Sequence, residues 1–143
     1  MRYLLAFTAL EDWEIEAMDV KHGMLKEKIY MGQPEGFIKK GEERKVCRLI
    51  RSIYGLKQAS RVWYETFAKI LNEKMSFRVI HSDAGVYVLR RQEGNIDIVI
   101  ILYVDDILIM GNDKPLIIKI KKSLSNQEFK MKDLGPAKSY LGM

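Results

Sequence analysis

The run "ILYVDDILIM" (residues 101–110) sets two adjacent carboxylates, Asp105 and Asp106, inside an otherwise apolar segment. Burying an unpaired carboxylate is costly, and two side by side also repel each other. Such a pair needs a positive charge opposite it or a turn that reaches water. Two-residue hairpin turns favour Asn-Gly, Asp-Gly or Gly-Gly, because their central residues need positive φ. Asp-Asp is poor turn chemistry, so a plain turn and a charged site both stay open. A third carboxylate, Asp19, ends the run "WEIEAMD". A strand end beside a central hairpin can bring that side chain near the other two. Three carboxylates that close call for divalent cations, and hard oxygen donors suit Mg²⁺. Two such ions about 3.5–4 Å apart form a clamp for in-line phosphoryl transfer, one activating the attacking hydroxyl and the other holding the leaving pyrophosphate.

The elements that must position these groups are readable in outline. Residues 2–10 read as a helix, and "DWEIEAMDV" as a strand with Trp13, Ile15 and Ala17 on one buried face. "GQPEGF" is a turn and "IKKGEERK" a charged loop. Val62, Trp63, Thr66, Phe67, Ile70, Leu71 and Met75 recur at helical spacing, which predicts an amphipathic helix over 60–75 with Trp63 in the core. "VYVLRR" and "IDIVIILYV" flank "QEGN" as a hairpin would. The second run is apolar on both faces, as expected of a central strand covered on each side. Asp113 and Pro115 open a further helix with Leu116, Ile117, Ile120 and Leu124 turned inward. The tail holds a Leu-Gly turn. Antiparallel strands interleaved with helices predict one α+β domain.

Composition narrows the class. The 143 residues suit one ordinary domain with a genuine core. A single cysteine, Cys47, excludes an internal disulfide and fits a reducing, intracellular compartment. No apolar run reaches the roughly 18 residues of a membrane span, and "MRYLLAFTAL" passes straight into "EDWEIEAMD" without a small-residue cleavage site. The net charge of +5 is concentrated: Lys39, Lys40, Arg44, Lys45, Arg48, Arg51, Lys57 and Arg61 face only Glu42 and Glu43 in that segment. Such a segment is either a solvated face or the footprint of a polyanion.

"YVDD" (103–106), "SIYGLKQASRVWY" (52–64), "AMDVK" (17–21), "IYMGQPEGF" (29–37) and "MKDLGPAKSYLGM" (131–143) together resemble the reverse transcriptase of Ty1/copia-type retrotransposons, in the family's order and over nearly the whole chain. The resemblance implies a palm-like antiparallel sheet with helices packed on one face. It also implies a partial reverse transcriptase domain over 1–143, with the start of the following region at about 127–143. It implies two Mg²⁺ ions, or Mn²⁺, held by Asp19, Asp105, Asp106 and the main chain of Val20. Gly55, Lys57, Gln58 and Arg61 would then contact template and incoming nucleotide, with Tyr103 and Val104 at the primer end and nucleotide sugar. Read alone, Lys57 and Gln58 are an exposed helix start, and Tyr103 and Val104 are strand packing. The implied partners are an RNA or DNA template with primer, deoxynucleoside triphosphates, and the fingers, thumb and RNase H regions of a parent polyprotein. No membrane is implied, and the parent's setting is a cytoplasmic virus-like particle.

The chain departs from the family pattern after Asp19. "MDVKHGMLKEKIYM" stands where members read close to "MDVKTAFLHGDLEEEIYM". Either the aromatic that walls the nucleotide sugar is absent or Met24 stands in for it, and a flexible thioether is a poorer wall than a ring. Ser60 replaces the usual Pro after "KQA". His22 reads as a surface loop residue and His81 as incidental, while Trp63, a core residue by its spacing, could instead lie beside nucleic acid. Without fingers and thumb, a palm neutralises few phosphates, so the isolated chain is expected to bind nucleic acid weakly and to be inactive. The alternatives are a non-catalytic retroelement remnant, or a weak nucleic-acid-binding module using 39–61.

Overall fold

The computed structural model describes residues 2–20, 28–50, 57–91, 95–127 and 130–138. Its main sheet has six strands, all antiparallel, in the order β4-β5-β6-β7-β1-β8. These are β1 (Glu14–Val20), β4 (Arg78–Ile80), β5 (Asp83–Leu89), β6 (Ile98–Tyr103), β7 (Asp106–Gly111) and β8 (Met131–Pro136). A separate two-stranded ribbon joins β2 (Tyr30–Gly32) to β3 (Val46–Arg48). The described residues also form three α-helices: α1 (Arg2–Leu10), α2 (Lys57–Lys69), which runs on into a π turn at Ile70–Lys74, and α3 (Lys114–Ser125). No described helix is long and apolar enough to cross a membrane.

The central strands explain the layering. Ile98 to Leu102 and Ile107 to Gly111 are buried without a break, so both faces of the sheet must be covered. On one face Ile98, Ile100, Leu102, Ile107 and Ile109 meet Phe67 and Leu71 of the α2 segment and Ile117, Ile120 and Leu124 of α3. On the other, Val99, Ile101, Leu108 and Met110 meet Leu4 and Leu5 of α1, with Trp13 beyond. The expectation of helices on one face is therefore corrected. A sheet apolar on both sides cannot leave one bare, and α1 covers the second.

α3 begins as its sequence predicts. Asp113 caps it by accepting a 2.9 Å bond from the Leu116 N–H, with Pro115 in the first turn. β1 departs from a one-faced strand, because Glu16 and Met18 are buried as well as Ala17. Glu16 is tolerated because Lys121 of α3 reaches it at 2.6 Å. The tail, read as a turn, supplies β8, which pairs with β1 and shifts register between Ala17 and Met18. The "QEGN" turn lies mostly outside the described residues, but β5 and β6 pair as that hairpin requires, from Val86↔Ile101 to Leu89↔Ile98.

Gly111 shows how tightly this sheet closes. A Cβ there would lie 2.6 Å from the Asp97 carbonyl oxygen and 2.5 Å from Ile98 Cδ1. The backbone oxygen cannot swing aside as a side chain would. Gly111→Ala is expected to cost about 1–3 kcal/mol, read as a lower urea midpoint at unchanged slope.

Candidate functional site

β1 and β7 are neighbours, and their register sets Asp19 directly opposite Asp106. One step further along the ladder, the Val20 N–H donates to the Asp105 carbonyl at 2.9 Å. Alternate pairs in an antiparallel ladder exchange hydrogen bonds, so Val20–Asp105 is the bonded pair. Asp19–Asp106 is then the non-bonded one, where side chains stand closest. Opposed residues share a face. Asp19 and Asp106 extend the row of Ala17, Leu108 and Met110 past the end of the apolar cover, and both are half-buried.

Asp105 stands at the same end of the sheet, in the adjoining turn and opposite Val20. β6 and β7 close at Tyr103↔Asp106, which leaves Val104 and Asp105 as the two loop residues. The hairpin apex is thus one residue earlier than an Asp-Asp turn would have it. Val104 carries φ of +55° and Asp105 does not share the positive sign, the pattern of a type II′ turn. Glycine normally takes that first position. A β-branched residue there is strained by about 1–3 kcal/mol.

Asp19 and Asp106 are like charges held opposite one another, an arrangement that destabilises a ladder. Among the described residues neither has a lysine or arginine partner. Nor do three or more acidic, histidine or cysteine side chains converge closely enough there to hold a metal ion. The structure sets Asp19 opposite Asp106, and Asp105 one step further along the ladder, opposite Val20. The donor set, all carboxylate oxygen and partly open to solvent, fits a hard divalent cation such as Mg²⁺ or Mn²⁺.

Tyr103 and Val104 are exposed at the apex rather than packed. Lys57 and Gln58 lie in the first turn of α2; their side chains, with Met24 and Gly55, lie outside what the structure describes. Arg61 projects from α2 and pairs with Glu65 at 2.7 Å. The hydrogen bond and charge of Glu65 hold its guanidinium above the usual value. Trp63, read from its spacing as a core residue, packs at 4.9 Å and a 42° tilt against buried Phe67, and its indole N–H donates 2.9 Å to the Val104 carbonyl. Helical periodicity predicts the ring's packing but gives no sign of that bond.

The basic segment is built differently from a plain loop. The Gln33 side-chain amide donates to the carbonyls of Glu42 and Lys45 and accepts from the Lys39 N–H, latching the β2–β3 connection. Lys39 and Lys45 share Glu42. Lys40 and Arg44 are exposed, and so is Phe37, at 81%.

Comparison with known proteins shows the family. The family model described as "Reverse transcriptase (RNA-dependent DNA polymerase)" matches residues 1–143. The chain is 48% identical over 147 residues to the retrovirus-related Pol polyprotein from transposon TNT 1-94 of Nicotiana tabacum, covering all of this chain and 11% of that protein. It is 36% identical over 149 residues to the Pol polyprotein from transposon RE1 of Arabidopsis thaliana, covering all of this chain and 10% of that one. It is 33% identical over 117 residues to the putative transposon Ty5-1 protein of Saccharomyces cerevisiae, covering 82% of this chain and 37% of its relative. No solved structure matches. The chain spans about a tenth of the length of the plant polyproteins it matches. With its whole length matched by the family model, the chain belongs to the reverse transcriptase family, as a reverse transcriptase domain of the copia-type retrotransposon Pol polyproteins.

Proposed function

We propose that residues 1–143 form the palm portion of an RNA-directed DNA polymerase, with the region after it beginning at about 127–143. The observation that carries this is the cross-strand pair Asp19↔Asp106 with Asp105 in the adjoining turn. Asp19 and Asp106 hold the ions from neighbouring strands, Asp105 from the turn, and Val20 through its main chain. Bound there, two divalent ions supply the charge that lowers the pKa of a primer hydroxyl and steadies the departing pyrophosphate. Tyr103 and Val104, exposed at the apex, lie against the primer end and the nucleotide sugar. Lys57, Gln58 and Arg61 of α2, with Gly55 before them in the chain, serve template and incoming nucleotide in this reading, and Met24 takes the part of the aromatic that walls the sugar.

The partners in this reading are a primed RNA or DNA template, deoxynucleoside triphosphates, and fingers, thumb and RNase H regions of a Pol polyprotein in a cytoplasmic particle. A second reading, a weak nucleic-acid-binding module, is favoured by the latched β2–β3 connection. That connection carries exposed Lys40 and Arg44 together with exposed Phe37, and single-strand binders combine cationic side chains with aromatic ones on which bases stack.

The catalytic reading is tested by titrating a fluorescent deoxynucleoside triphosphate into the chain with Mn²⁺ present. Saturable binding that falls at least tenfold in Asp105→Asn is expected. Binding that is indifferent to Mn²⁺ and to Asp105→Asn would overturn it and leave the binding-module reading.

A further inference from the structure

Asp105 can serve as a ligand only if its backbone is fixed, because φ and ψ of one residue set where its Cβ points. Those angles are defined by the two peptide planes on either side of it. The Val104 carbonyl lies in the first plane and the Asp105 carbonyl in the second. Each is held by a different element: Trp63 Nε1 of α2 donates 2.9 Å to the Val104 oxygen, and the Val20 N–H of β1 donates 2.9 Å to the Asp105 oxygen.

The first plane is the one under strain. Val104 sits at φ +55°, where a β-branched residue is an outlier and where relaxation toward negative φ would rotate that carbonyl. Strained conformations persist only where their surroundings over-determine them. The donor is itself held, for the indole packs at 4.9 Å against Phe67, which is fully buried among Leu71, Ile107 and Ile109.

We infer that Trp63 is a positioning residue: anchored on Phe67, its indole N–H pins the carbonyl of strained Val104 and so aims Asp105 at the metal corner it shares with Asp19 and Asp106. The inference rests on the proposed role of Asp105 as a metal ligand. It assigns Trp63 a task apart from its share in the core.

A double-mutant cycle tests it. Trp63→Phe keeps a ring on Phe67 and removes the donor, and Val104→Gly removes the strain that the donor opposes. The readouts are the Mn²⁺ dissociation constant, the ¹⁵N relaxation dispersion of the Asp105 and Asp106 amides, and the thermal midpoint. Trp63→Phe is expected to weaken Mn²⁺ binding about five- to tenfold, the worth of one hydrogen bond, and to bring exchange broadening to those two amides. In the Val104→Gly background the same change is expected to cost less than about twofold and to leave the amides sharp. If Trp63→Phe lowers the midpoint equally in both backgrounds, with affinity and amides unmoved, Trp63 is a packing residue and the inference fails. If the unmutated chain binds no Mn²⁺, the metal reading fails instead. The amide exchange alone then decides, broadening in Trp63→Phe sustaining the pin and its absence ending it.

Discussion

Lys121→Met is expected to destabilise the domain by roughly 3–5 kcal/mol, because it strands a buried carboxylate. Lys121 Nζ lies 2.6 Å from Glu16 and 2.5 Å from Asp133, and the Lys121 and Glu16 side chains are only 8% and 10% exposed. Burial alone would lower the Lys121 pKa, yet the hydrogen bonds and charges of Asp133 and Glu16 hold it above its usual value. Burial likewise pushes the Asp133 carboxyl up, and the bonds from Lys121 and the Gly135 N–H bring it below the ordinary carboxylate range. The three side chains join α3, β1 and β8. Asp133 is 56% exposed and can turn to water when the lysine is gone. Glu16 cannot.

The loss is a large part of the 5–15 kcal/mol that a typical domain has in all, so urea melts followed by circular dichroism resolve it easily. The double change Glu16→Met with Lys121→Met fills the same space without charge. It is expected to melt near the unmutated chain or above it. A single mutant within about 1 kcal/mol of the parent would mean that water already reaches Glu16.

Asp19→Asn and Asp106→Asn are expected to act with opposite sign in the absence and presence of divalent ions. Without ions, either change removes one of two like charges opposed across the ladder and adds about 0.2–1 kcal/mol of stability. With Mn²⁺ at about a hundred times its dissociation constant, the unmutated chain gains about 2.7 kcal/mol by mass action, since the folded state alone offers the site. The variants gain much less. The order of melting midpoints therefore reverses as Mn²⁺ is added. Parallel curves at every Mn²⁺ concentration would show that the ions bind elsewhere or not at all.

The parts legible in the sequence are those where a short pattern has one physical solution. Residues 98–102 lack polar alternation, and only a strand covered on both faces satisfies that. The same pattern already argued against helices on a single face. α3 is announced by Asp113 and Pro115, a cap and a first-turn residue whose roles are local. The juxtaposition of Asp19 and Asp106 followed from an acid at a strand end and an acid beside a hairpin.

What stayed hidden depends on partners far along the chain. β8 reads as a turn because Lys132, Asp133, Gly135 and Pro136 alternate no apolar face, and only the open edge of β1 draws them into a strand. Lys121 looks like one more exposed helix lysine, because Glu16 lies 105 residues away. The apex at Val104–Asp105 contradicts turn propensity, which favours glycine there. Local preference gives way to contacts from α2 and β1, elements that no window around residue 104 contains.

The shared-ion claim meets its most direct test in calorimetric titration of Mn²⁺ into the unmutated chain, Asp19→Asn, Asp106→Asn and, as a control outside the corner, Asp133→Asn. The account predicts saturable binding that is lost or weakened at least tenfold in each of the first two variants and retained in the third. Binding that survives Asp19→Asn at unchanged affinity would contradict it, since an acid 86 positions before Asp105 in the chain would then have no part in the ion's coordination.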